Sequence, residues 1–294
     1  MAACSPMRRM HAVWLLILVT LMWSSGGVLV KLVDLHPLAT AGMRSAIAGL
    51  VVLAFLRRPR FALSWSLWGG AVAFAASQLL FISATRLTTA ANAVFLQYTA
   101  PIHVAVFGTW FLKERLRWLD ALSIGAVLVG MFLFFGDELT TAGLWGNVCA
   151  VGSGVAFAWV ILVLRQQKDG PILEIVLLGN LLTALAGVPF MFAGLPDAKG
   201  WLGIVLLGVF QLGLSYVLYA VVIKHLRAME AVLIQTIEPI LNPVWVLVFL
   251  AEVPGRWALV GGGIVLLSVT FCAILVAREK ELPVPGENQV CGAG

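Results

Sequence analysis

Ten stretches of this chain are predominantly apolar over about 20 residues each, the length of helix that crosses a hydrocarbon layer. They run over residues 12–33, 38–56, 66–85, 90–112, 118–136, 143–164, 173–193, 200–223, 228–250 and 257–277. Strands of a membrane barrel alternate apolar and polar residues over about ten positions. These runs are apolar on all sides and twice as long. A soluble fold needs a polar shell, yet 61% of this chain is hydrophobic and only 11% is charged, against about 25% in soluble domains. That balance excludes a soluble enzyme, a secreted domain and a disordered chain. The expected fold class is an all-α integral membrane protein of ten transmembrane helices.

The basic residues give the helices a direction. With the N-terminus in the cytoplasm, Arg8, Arg9, Arg57, Arg58, Arg60, Lys113, Arg115, Arg117, Arg165, Lys168, Lys224, Arg227, Arg278 and Lys280 fall inside. Only Lys31, Arg86, Lys199 and Arg256 fall outside, and Arg44 lies within the second span. Lys and Arg gather in cytoplasmic loops, so both termini are expected there, in a multi-pass protein of the inner membrane. The same scatter of charge over helix ends argues against nucleic acid, despite a net charge of +5. The first run continues to Val33 without a small-residue cleavage site and reads as an uncleaved helix. Cys4, Cys149, Cys272 and Cys291 have no metal-ligand or redox spacing.

The chain repeats itself. At a shift of 138, Gln97 falls on Gln235, Pro101 on Pro239, Glu114 on Glu252 and Gly125 on Gly263. At a shift of 136, Trp23 falls on Trp159 and Arg44 on Asn180. Each copy holds five spans, an odd number, so the second must enter the membrane inverted. The expected organisation is a cytoplasmic N-terminus (1–11), a first repeat (12–136), a periplasmic connection (137–142), a second repeat (143–277) and a disordered cytoplasmic tail (278–294). Inverted repeats are a transporter architecture, with the site at the midplane between the halves.

Trp-Ser-Ser-Gly-Gly (23–27) and Lys31, Met-Arg-Ser-Ala (43–46), Leu-Gln-Tyr-Thr-Ala-Pro-Ile (96–102), Glu-Pro-Ile (238–240) and Ala-Glu (251–252) follow one another in this order. Together they resemble the EamA family of the drug/metabolite transporter superfamily, over about residues 12 to 277. The resemblance implies ten helices, both termini cytoplasmic, a central cavity lined by helices 1, 3, 4, 6, 8 and 9, and export of amino acids or related metabolites. An uptake permease or a solute exchanger of the same fold is the alternative. A membrane-embedded enzyme is the reading from another class, but no HExxH, GxSxG, P-loop or metal-spaced cluster is present. No catalytic residue, metal or cofactor is expected. The expected partners are a small-molecule substrate and lipid; monomer and homodimer both stay open.

Polar groups inside a span are costly unless they face protein, water or ligand. In the ninth span Gln235, Glu238 and Asn242 are spaced three and four apart, which puts them on one face of a helix, within about 60°. Glu238 is the one acid placed deep in a span and is the candidate coupling group: it can carry a proton, hold a cation, or cap backbone freed by Pro239. Asn92, Thr99 and His103 share a stripe on the fourth helix. Gln211, Ser215 and Tyr219 share one on the eighth, and Gln78 lies on the third. Trp23 and Trp159, matched by the repeat, read as packing or as a stacking surface for substrate. Arg44 lies about 10 Å into the second helix and pairs with an acid such as Asp34, snorkels outward, or binds a carboxylate.

Overall fold

In hydrocarbon a backbone must satisfy its own hydrogen bonds, which leaves helices and closed barrels. In a computed structural model that describes residues 9–59, 61, 64–88, 90–135, 143–192, 194–250 and 256–278, every regular element is helical. The first half holds α1 (Arg9–Ser24), α2 (Gly26–Lys31), α3 (Pro37–Leu56), α4 (Trp65–Leu87), α5 (Ala90–Gln97), α6 (Ala100–Phe111) and α7 (Trp118–Phe135). The second holds α8 (Leu144–Gln166), α9 (Ile172–Met191), α10 (Ala198–Leu206), α11 (Ser215–Val222), α12 (Ala228–Gln235), α13 (Ile237–Leu250) and α14 (Arg256–Arg278). A π-helical stretch, Leu207–Leu214, joins α10 to α11. The connection expected over 137–142 and the tail beyond Arg278 lie outside the described residues.

Among the described residues, six helical segments are long and apolar enough to cross a membrane: Arg9–Val30, Pro37–Leu56, Trp65–Thr85, Leu144–Gln166, Ile172–Met191 and Ala198–Val222. Trp118–Leu133 and Val260–Cys272 are shorter apolar helices. The expected first, fourth and ninth spans are not continuous helices; the first turns at Ser25, between α1 and α2. The fourth breaks at Tyr98 and Thr99, between α5 and α6, and the ninth breaks at Thr236, between α12 and α13. The cause is local. Proline has no N–H to donate to the carbonyl four residues back. Pro101 thus frees the Gln97 carbonyl, and Pro239 frees that of Gln235. A shift of 138 places Tyr98 on Thr236, so both copies break at the same point.

The helix pairs answer one another across the repeat. The mates α3 and α9 pack together, as do the mates α7 and α14. The contact of α1 with α11 is matched by that of α4 with α8, and the contact of α1 with α12 by that of α5 and α6 with α8. The α3–α9 pair closes backbone to backbone. A Cβ on Gly187 would lie 2.7 Å from both Gly42 Cα and the Leu38 carbonyl oxygen. Gly42 therefore meets Gly187, on the facing helix, with the close approach that small residues allow between membrane helices. Outward, the bundle shows a broad apolar surface suited to lipid. Trp65, Trp118 and Trp257 are exposed there, as expected of an interfacial belt, and so is Trp14.

Gly187→Ala should therefore destabilise the bundle by about 1–3 kcal/mol through overpacking. Thermal unfolding in detergent should show a melting temperature several degrees lower, at roughly 2–4 °C per kcal/mol. Gly125→Ala, where an added Cβ meets nothing within 4 Å, should leave it unchanged or slightly raised.

Candidate substrate site

The helix breaks gather polar side chains in the middle of the bundle. At the first break, Tyr98 donates its hydroxyl hydrogen to Glu238 Oε2 at 2.6 Å. Glu238 stands in the first turn of α13, just past the second break. Arg44 of α3 donates from Nη2 to Gln78 Oε1 of α4 at 2.6 Å, so its partner is this neutral amide; Asp34 is exposed. The Glu238 carboxylate, the Arg44 guanidinium and the Tyr216 ring lie within electrostatic range of one another. Side chains of Arg44, Gln78 and Glu238 are only half-buried.

An aromatic wall stands beside these charges. Trp23 packs on Tyr216 at 5.1 Å between ring centroids and on Tyr219 at 5.4 Å. Phe74 meets Tyr216 edge-on at 5.0 Å. The indole is fixed by donation from Nε1 to Ser215 Oγ at 2.8 Å, and Ser215 in turn donates to the Gln211 carbonyl at 2.6 Å. The Gln211 amide reaches the Trp23 carbonyl at 3.5 Å, over the side of Gly26. Among the described residues, Gln211 Oε1, the Tyr219 hydroxyl, both polar atoms of the Gln235 amide and Arg44 Nε are buried without a hydrogen-bond partner. Tyr219 and Gln235 are neighbours, but neither meets the other with hydrogen-bond geometry. Buried polar atoms are normally satisfied, so a cluster of unsatisfied ones marks a place with spare capacity for a ligand or water.

Several sequence expectations need correction at this level. Gln235 and Glu238 do not stand on one regular helix: Gln235 ends α12 and Glu238 lies in the first turn of α13, with Thr236 between the two helices. Gln235 looks toward Tyr219, whereas Glu238 looks toward Tyr98. Of the expected stripe of Asn92, Thr99 and His103, the structure keeps Thr99 beside His103. Thr99 lies in the break and donates to the Leu96 carbonyl at 2.6 Å, with His103 3.4 Å away. The side chains of Asn92 and Asn242 lie outside the described residues. Trp159 packs against Phe107 and Phe111, at 6.2 and 4.9 Å, away from the Trp23 cluster. Gln97 donates to Ser153 Oγ at 2.7 Å, which donates to the Ser77 carbonyl at 3.0 Å. Tyr98 was not among the expected site residues; its proximity to Pro101 was the available signal.

A second charged group lies at the end of the bundle where Arg9 begins α1. Glu230 is fully buried and pairs with Arg9 and, at 3.4 Å, with Arg117. It also accepts the Arg227 N–H at 2.9 Å, which caps α12. Asp120, nearly as buried, takes Arg117 at 3.2 Å and Arg227 at 3.4 Å. Glu114 joins Arg165 at 3.2 Å and accepts the Ala228 N–H at 3.1 Å. Arg227 also donates to the Arg115 carbonyl. This network ties α1, the α6–α7 segment, α8 and the start of α12 into one plug. Sequence reasoning used these arginines for direction only and overlooked the acids between them.

A repeated, helix-broken bundle with a polar centre and a lipid-facing exterior defines a multi-pass membrane protein of the transporter class. The model of the EamA-like transporter family matches residues 10–136 and again 144–274. The chain belongs to this family. It is 28% identical over 264 residues to the threonine/homoserine exporter RhtA of Salmonella typhimurium (strain SL1344), covering 82% of this chain and 85% of that protein. It is 26% identical over 298 residues to RhtA of Escherichia coli (strain K12), covering 93% and 96%. A solved crystal structure matches its fold with a TM-score of 0.78 at 19% identity, over 92% of this chain and 100% of that one. The match places the chain among small-metabolite transporters rather than enzymes.

Removing one member of a buried ion pair leaves the other charge uncompensated, at roughly 3–5 kcal/mol. Glu230→Ala should take the Glu230 carboxylate away from Arg9 and Arg117 and lower the melting temperature in detergent sharply. Glu230→Gln, which can still accept the Arg227 N–H, should lower it less. Equal melting of Glu230→Ala and the unaltered protein would show that the plug contributes no stability.

Proposed function

We propose that the protein exports small polar amino acids of the threonine type across the inner membrane, through a central site exposed alternately to its two sides. The observation that carries this reading is the polar centre built at two helix breaks in equivalent positions of the two copies. Discontinuous helices at a midplane site are how membrane transporters bring ligand groups and backbone together away from lipid. The names of the relatives, which span nearly the full chain, supply the substrate class. The unsatisfied Gln235, Tyr219 and Gln211 atoms suit a solute whose side chain can form hydrogen bonds.

The ten-helix, inverted arrangement is supported by the helix pairs α3–α9 and α7–α14, each of which joins equivalent helices of the two copies. The concentration of Arg and Lys at the plugged end supports a cytoplasmic position for it and for both termini. On this reading the plug closes the cytoplasmic entrance, and the Arg9 and Arg117 contacts to Glu230 must part for substrate to enter.

Glu238 is the proposed coupling group. It is the acid of the central site, with Tyr98, Arg44 and Tyr216 around it, and the chain carries no nucleotide-binding loop. A cell expressing the protein should resist toxic excess of L-threonine or L-homoserine and release labelled threonine faster than a control cell. Unchanged resistance and release would reject the export reading. In everted vesicles, Glu238→Gln should lose accumulation driven by a proton gradient while keeping downhill exchange at high substrate concentration. Accumulation with unaltered dependence on the gradient would make Glu238 structural.

A further inference from the structure

The centre holds two opposite charges that do not meet. Arg44 and Glu238 sense each other electrostatically, yet among the described residues no ion pair joins them. Each is held by one neutral neighbour instead: Gln78 on Arg44 Nη2, and the Tyr98 hydroxyl on Glu238 Oε2, both at 2.6 Å. Arg44 Nε is buried with no partner. In a medium of low dielectric constant, a charge without a counter-charge is expensive, and opposite charges gain by closing on one another. The two are kept apart by their attachment to different supports, Arg44 to α3 and α4, and Glu238 to the break after Tyr98.

A separated pair of this kind is completed by a ligand of the opposite polarity. An anionic end at Arg44 accepts from the guanidinium in the charge-assisted geometry that arginine offers carboxylates. A cationic end at Glu238 donates to the carboxylate, beside the Tyr98 hydroxyl. A simple anion would leave Glu238 unmatched, and a simple amine would leave Arg44 unmatched.

We infer that Arg44 and Glu238 are the two poles of a zwitterion site: Arg44, steadied by Gln78, takes the α-carboxylate of the substrate, and Glu238, steadied by Tyr98, takes its α-ammonium. This rests on the amino-acid reading above and deepens it, since it makes both charged ends of the solute necessary. It also fixes the direction in which the substrate lies, from α3 toward α13.

The test uses the full-length protein in proteoliposomes, with counterflow of radiolabelled L-threonine competed by two derivatives. N-acetyl-L-threonine lacks the ammonium, and L-threoninamide lacks the carboxylate. Each should compete about tenfold or more weakly than L-threonine, as expected for loss of one charged hydrogen-bonding end. Arg44→Gln should lose the discrimination against L-threoninamide but keep that against N-acetyl-L-threonine. Glu238→Gln should show the reverse. The derivative comparison on the unaltered protein stands even if a variant fails to fold. Threonine counterflow with either derivative competing as well as threonine would overturn the zwitterion site and leave amino-acid transport intact. The same loss pattern in both variants would do likewise. Absence of counterflow for threonine, homoserine and the other standard amino acids would overturn the amino-acid reading itself, and this inference with it.

Discussion

A hydrocarbon layer offers a backbone no partner but itself, and this chain departs from that rule at Tyr98–Thr99 and at Thr236. The rest of the architecture is arranged around those departures. A break frees carbonyls that the protein interior must shield. The Gln97 carbonyl is met closely by Gly154 of α8, where a Cβ would lie at 2.8 Å. A break also lets adjacent residues face different ways. Tyr98 turns toward Glu238, Gln97 toward Ser153, and Gln235 toward Tyr219.

The breaks work together with the charge placement at two depths. At one end, Glu230 pairs with Arg9 and Arg117, and Asp120 pairs with Arg117 and Arg227, so each acid meets two arginines. In the centre, Arg44 and Glu238 are each only partly satisfied and remain half-buried. A paired network stabilises one arrangement of the helices; an incomplete one leaves energy to be gained on binding. That contrast is what a carrier requires. On the proposed function, the paired end blocks leakage and the unsaturated centre rewards the correct solute. The aromatic wall of Trp23, Tyr216 and Tyr219, pinned through Ser215, gives the unsaturated centre a fixed side.

Much of the fold was legible in the sequence because hydropathy, charge bias and the repeat are one-dimensional signals. Pro101 and Pro239 stand at matching positions, and both breaks follow from them. What the sequence hid was long-range. The Arg44–Gln78 contact joins different helices, and nothing in the neighbourhood of Arg44 points to an amide 34 positions away. Tyr98 escaped notice because an aromatic residue in an apolar run reads as packing. The single face expected for Gln235, Glu238 and Asn242 assumed a regular helix, which is interrupted at Thr236, three residues before the visible Pro239. Glu114, Asp120 and Glu230 stand beside arginines that were read only as topological markers.

The central claim is that the two breaks line a site that water and substrate reach from outside the bundle. The direct test is aqueous reactivity of single cysteines, in a background without the native four, toward a small membrane-impermeant thiol reagent. Tyr98→Cys, Ser215→Cys and Tyr219→Cys probe the site, and Val248→Cys, on the exposed apolar surface, probes lipid. The account predicts that the three site positions react, that saturating L-threonine protects them, and that position 248 stays unreactive with or without it. Site cysteines no more reactive than position 248, or reactive but indifferent to every amino acid offered, would contradict it.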